Sequence, residues 1–122
     1  MTNKQYELGI KNLTKIDGKA GEQVINSLED IAPDLGKYIV EFAFGEVYVR
    51  EDLSFEEREM ITLASLLSQG DTENQLLVHI KGALNIGLSE EKIIGVFIQC
   101  IPYVGFPKVL NAVNTAKKIF SY

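Results

Sequence analysis

Apolar side chains return at three- and four-residue steps along almost the whole chain, and no stretch alternates apolar with polar as a half-buried strand must. This pattern predicts an all-α protein whose amphipathic helices each bury one stripe. Tyr6, Ile10, Leu13 and Ile16 form a first stripe, closed by Asp17-Gly18. Val24, Leu28 and Ile31 form a second, before a proline interrupts at Ala32-Pro33-Asp34. A third helix is expected from about Asp34 to Val49, on Leu35, Tyr38, Ile39, Phe42 and Val49. Ser54 and Glu57 read as a capping box that opens a fourth helix, about Phe55 to Ser68, closed by Gly70. Asp71 is the expected cap of a fifth, about Thr72 to Ile86, with Gly87 as its stop. Ser89 caps a sixth, with Glu90 and Glu91 in the first turn, where the helix dipole favours negative charge. After Gly105-Phe106-Pro107 a last helix ends on Lys117 and Lys118. Connections are short and there is no linker or repeat, so residues 1–122 read as one compact helical bundle. About six to seven helices are expected in it.

The sixth segment is apolar on nearly every side: Ile93, Ile94, Val96, Phe97, Ile98, Cys100, Ile101, Tyr103 and Val104 surround it. Such a helix must be covered all round. It is either a central core helix or a helix whose outer face is a subunit interface.

Charge and composition exclude several functions. A net charge of −5 with no Lys/Arg cluster argues against a nucleic-acid-binding surface. A single Cys rules out an internal disulfide, a C-x-x-C pair or a zinc cage within one chain. With a single His as well, no metal-ligand set stands out. The opening MTNKQYELGIKNL has no apolar core of signal-peptide length, and Gln99 and Pro102 interrupt the most apolar stretch. The expectation is a cytoplasmic protein without a membrane partner, its lone Cys100 behaving as a small hydrophobe.

Three polar residues fall where the helical wheel calls for apolar ones. Glu59 sits mid-stripe between Phe55 and Leu63, and Glu46 does the same among Ile39, Phe42 and Val49. His79 lies on the flank of the stripe made by Leu76, Ile80, Ala83 and Leu84. A buried carboxylate must be paired, hydrogen-bonded or protonated. Each residue alone fits a structural role, but acid and base groups converging in an apolar setting suit proton transfer. The two arginines, Arg50 and Arg58, flank the turn between the third and fourth helices. Their planar fork suits a substrate carboxylate, whereas the structural alternative is an ion pair of Arg58 with Glu57 or Glu59. The residues alone therefore point to an acid/base pocket for a small anion.

Three segments resemble the carboxymuconolactone decarboxylase and alkylhydroperoxidase D-like family. FGEVYVREDL (44–53) is similar to the family's aromatic-Gly-x-x-aromatic-x-Arg-Pro-Gly-Leu turn. Residues 56–93 carry its Arg-Glu helix start, its histidine before a small-residue helix, and Asn-x-Gly-Leu-Ser-Glu-Glu. PYVGFPKVLNA (102–112) is similar to its closing motif. The resemblance implies an all-helical, alkylhydroperoxidase D-like fold in a trimer or hexamer. The peroxidase branch has a C-x-x-C pair ahead of the histidine. Thr72 and Gln75 occupy those positions here, so thiol-dependent peroxide reduction is not expected. The decarboxylase branch needs no thiol, organic cofactor or metal. Its matching positions are Glu46, Arg58, Glu59 and His79, with Arg58 or Arg50 to hold the substrate, His79 as proton donor, and Glu59 and Glu46 to orient and tune it. Glu51-Asp52 departs from the family's Pro-Gly turn and adds negative charge beside that site. The alternative is a non-enzymatic ligand-binding or scaffold oligomer, or a family member that has lost its redox pair.

Overall fold

The first two apolar stripes lie on two helical segments that meet at Gly18, with Ile31 just beyond the second. In the computed structural model, which describes residues 3–120, α1 (Lys4–Leu28) runs through Asp17-Gly18, with Gly18 at φ 56° and ψ −138° as a kink inside it. The expected break thus occurs at the expected residue, where Gly18 leaves the helical region and two helical segments meet at a kink. Asn3 caps the start, its side chain accepting from the Tyr6 amide at 3.1 Å. The described residues form seven α-helices and one π-helix, with no strand. They divide between Phe55 and Glu56 into two compact units.

In the first unit α1 is followed by α2 (Pro33–Tyr38), which has Pro33 in its opening turn, and by the π-helix Ile39–Val47. Both pack on α1. The contact is close because glycines mark it. A Cβ on Gly9 would stand 2.0 Å from the Val40 carbonyl oxygen, and one on Gly45 would stand 2.4 Å from that of Gln5. Two α1 side chains donate to carbonyls of the π-helix, Asn12 Nδ2 to Phe44 at 2.8 Å and Gln5 Nε2 to Glu41 at 2.7 Å. Phe44 and Tyr48 stack at 4.5 Å between ring centroids, and Lys15 Nζ lies 5.3 Å from the Phe55 ring centroid.

This geometry corrects the expected face of the third helix. Gly36, Val40, Phe44 and Gly45 are buried, whereas Leu35, Tyr38, Phe42 and Val49 are exposed. Two physical causes operate. Backbones in close approach want glycine at the contact, so the large apolar residues do not mark the buried side. In the π-helix, hydrogen bonds such as Tyr48 N–H to Ala43 C=O at 2.9 Å span five residues, so a wheel of about 100° per residue loses register.

The second unit contains the body of α3 (Phe55–Gln69), with α4 (Glu73–Asn85), α5 (Glu90–Gln99), α6 (Ile101–Val104) and α7 (Phe106–Ile119). Its core joins Leu63 and Leu67 of α3, Leu76, Ile80 and Ala83 of α4, Ile93 and Phe97 of α5, and Val109, Ala112 and Ala116 of α7. Each large side chain so buried contributes about 1.5–3 kcal/mol. Ser89 caps α5 as expected, accepting from the Lys92 amide at 3.0 Å. The cap of α4 differs from expectation. Asp71 sits at φ 55° after Gly70 at φ 73°, and the N-cap residue is Thr72, whose hydroxyl donates to the Leu66 carbonyl at 2.5 Å. The Gly70-Asp71 turn places both residues in the left-handed region, which moves the cap one residue on. Within α5 and α6 only Ile93 and Phe97 are buried, while Ile98 and Tyr103 are 55% and 81% exposed.

Candidate functional site

Glu59 lies one turn before Leu63 and two before Leu67 on the buried ridge of α3, and it is 0% exposed. The regular α-helical period of this segment puts it there, as the sequence indicated. On α4 the buried neighbours Leu76, Ile80 and Ala83 hold His79 against the core, its side chain retaining 18% exposure. The two meet, with Glu59 Oε1 3.0 Å from His79 Nδ1. With Glu59 as a carboxylate, which only accepts, the ring donates from Nδ1. A carboxylate behind an imidazole fixes the tautomer and stabilises the imidazolium, which equips the pair to give or take a proton.

The other candidates are placed differently. Arg58 is buried on α3 at 7% exposure, and its backbone carbonyl accepts from the Thr62 hydroxyl at 2.9 Å. Arg50 is exposed and doubly bonded to Asp52 Oδ2, from Nε at 3.1 Å and from Nη2 at 2.8 Å. That hydrogen bond, and then the Asp52 charge, push the Arg50 guanidinium above its already high value. The acidic turn thus supplies the partner of Arg50. Glu46 is exposed on the π-helix. The expectation that it is a buried carboxylate is corrected, because the π-helical register turns its position away from the packed side.

A buried carboxylate in the first unit escaped the sequence reading. Asp17 is 4% exposed on the α1 stripe that also buries Leu13, Ile16 and Gly21. Its spacing of four from Leu13 is the signal. Next to Gly18 it reads instead as a turn residue.

Cys100, at the C-terminal end of α5, is half-buried, and burial pushes its thiol above the ordinary range. A raised pKa lowers the thiolate fraction, the reverse of what a peroxidatic cysteine needs. Two outcomes are expected. Peroxide turnover coupled to a dithiol reductant should be negligible, and iodoacetamide should label Cys100 slowly near neutrality and faster as pH rises. Robust peroxide turnover abolished by Cys100→Ser would contradict both. Among the described residues no helix is long and apolar enough to cross a membrane.

Comparison with known proteins adds a second line of evidence. The profile of the carboxymuconolactone decarboxylase family matches residues 33–118, a span that holds Glu46, Arg50, Arg58, Glu59 and His79. A 4-carboxymuconolactone decarboxylase of Acinetobacter baylyi is 29% identical over 117 residues, covering 95% of this chain and 87% of that protein. The nitrosuccinic acid decarboxylase of Metarhizium robertsii is 28% identical over 116 residues, covering 93% and 79%. Peroxisomal protein 2 of Saccharomyces cerevisiae is 35% identical over 86 residues, 70% of this chain but 30% of that longer protein.

Proposed function

Because the chain belongs to the carboxymuconolactone decarboxylase family, we propose that it is a decarboxylase-type enzyme acting on a small carboxylated lactone or a related anion. One observation carries the reading: the fully buried Glu59 carboxylate stands 3.0 Å from Nδ1 of a partly exposed histidine. Loss of carbon dioxide leaves the electrons of the broken C–C bond on the substrate carbon, which then takes a proton. His79, held by Glu59 through Nδ1, delivers that proton from Nε2. Glu59 orients the ring and stabilises its charged form. Arg58 and Arg50 are the proposed anchors for substrate carboxylate, by their bidentate fork. No organic cofactor or metal is required for these steps. Two of the similar proteins are named as decarboxylases of small acids, which supports the reaction type. The reading takes the active form to be a closed homo-oligomer, trimer or hexamer, in the cytoplasm. The exposure of Ile98 and Tyr103 supports the oligomeric part.

The test is carbon dioxide release from a panel of small carboxylated lactones and nitro- or keto-acids, followed by Arg58→Lys and Arg50→Ala on any substrate found. Loss of carboxylate anchoring should raise KM with a smaller change in kcat. Unchanged KM in both variants would remove the arginines from the reading.

A further inference from the structure

Gly95 of α5 has no neighbour in the chain that accounts for a glycine there. Gly9, Gly21, Gly36 and Gly45 each meet a neighbour within 3.4 Å of where a Cβ would stand, whereas at Gly95 nothing lies within 4 Å. It is exposed in mid-helix, where glycine costs stability relative to alanine. On a wheel of about 100° per residue Gly95 lies opposite the buried Ile93 and Phe97, at the outward apex of the helix. An apolar groove runs along each side of that apex. One, of about 450 Å³ between α3 and α5, includes Met60, Ile61 and Val96; the other, of about 930 Å³ between α5 and α7, includes Ile94, Ile98 and Val113. Gly95 lines both.

We infer that the apex of α5 at Gly95 is a self-association surface on which the α5 of a second copy of this chain packs, backbone close to backbone. Charge identifies the occupant and its direction. The α3/α5 groove carries Lys92 and no carboxylate, whereas the α5/α7 groove carries Glu90 and Glu91 against Lys117. When the two α5 helices run in the same direction, a two-fold axis along them sets the Lys92 groove of each copy opposite the Glu90/Glu91 groove of the other. An antiparallel pair would set like groove against like. The parallel pairing therefore joins opposite charges at the same end of the helices while the apolar grooves close over each other. A side chain at position 95 would hold the helix axes apart.

This inference rests on the oligomeric part of the proposed function and takes its hexameric form, since a trimer has no two-fold axis; it is independent of the chemistry. The test is light scattering of the full chain at micromolar concentration, with circular dichroism as a check of fold. Wild type should exceed the single-chain mass of 13.6 kDa, and Gly95→Leu should dissociate while keeping its helicity. Lys92→Glu, which leaves the apex at Gly95 unchanged, should weaken association by about tenfold or more, and adding Glu91→Lys in the same chain should recover it. A wild-type protein of single-chain mass would overturn both this surface and the oligomeric reading. An oligomer that Gly95→Leu and Lys92→Glu leave intact would overturn this surface alone. Failure of the double reversal to recover association would overturn the parallel arrangement.

Discussion

Gly9→Ala is expected to unfold the first unit. Its Cβ would fall 2.0 Å from the Val40 carbonyl oxygen, 2.8 Å from the carbonyl carbon and 2.9 Å from Val40 Cγ1. The obstacle is backbone, held by a π-helix that Asn12 and Gln5 tie to the same helix, so no side chain can swing aside. Overpacking a tight contact costs about 1–3 kcal/mol, and this clash lies at or beyond the upper end. Gly36→Ala is the control. Its Cβ would meet Ile25 Cγ2 at 3.4 Å, so the change should stay within about 1 kcal/mol of wild type. Denaturant titration of the three proteins reads this directly. Equal stability of Gly9→Ala and Gly36→Ala would contradict the packing described for α1 and the π-helix.

Glu59 should separate stability from chemistry. Glu59→Ala leaves the His79 ring nitrogen without its fully buried partner and opens a void, which costs about 2–5 kcal/mol. Glu59→Gln keeps the volume and a hydrogen-bonding oxygen, so it should cost about 1 kcal/mol. The amide cannot stabilise an imidazolium as a carboxylate does, so turnover should fall by about 10²–10⁴. A Glu59→Gln variant with full turnover and reduced stability would assign the pair a structural role.

The sequence was legible where the helix is regular. In α3 the steps from Glu59 to Leu63 and Leu67 follow the α-helical period, so a carboxylate in the apolar stripe could be read as buried, and it is. His79 on the flank of the α4 stripe, the Ser89 cap and the stop at Gly87 were readable for the same reason. Legibility failed at Glu46, where five-residue hydrogen bonding replaces the four-residue pattern and no residue type announces the change. It failed also at Leu35, Tyr38 and Phe42, since glycines rather than large apolar residues mark the packed side of that segment. Asp17 was hidden by Gly18: the pair reads as a break and Gly18 does leave the helical region, yet Asp17 is still on the buried stripe of the segment that ends there.

In the proposed reaction His79, held by Glu59, returns the proton after carbon dioxide is lost. Small carboxylated lactones and nitro- or keto-acids are incubated in deuterium oxide with wild type and His79→Ala, and carbon dioxide release and deuterium at the reacting carbon are followed together. Wild type should release carbon dioxide with one deuterium incorporated, and His79→Ala should do so at a rate lower by about 10²–10⁴ with the fold retained. Turnover by His79→Ala at the wild-type rate, or no release by the wild-type protein from any of these acids, would contradict this role of His79.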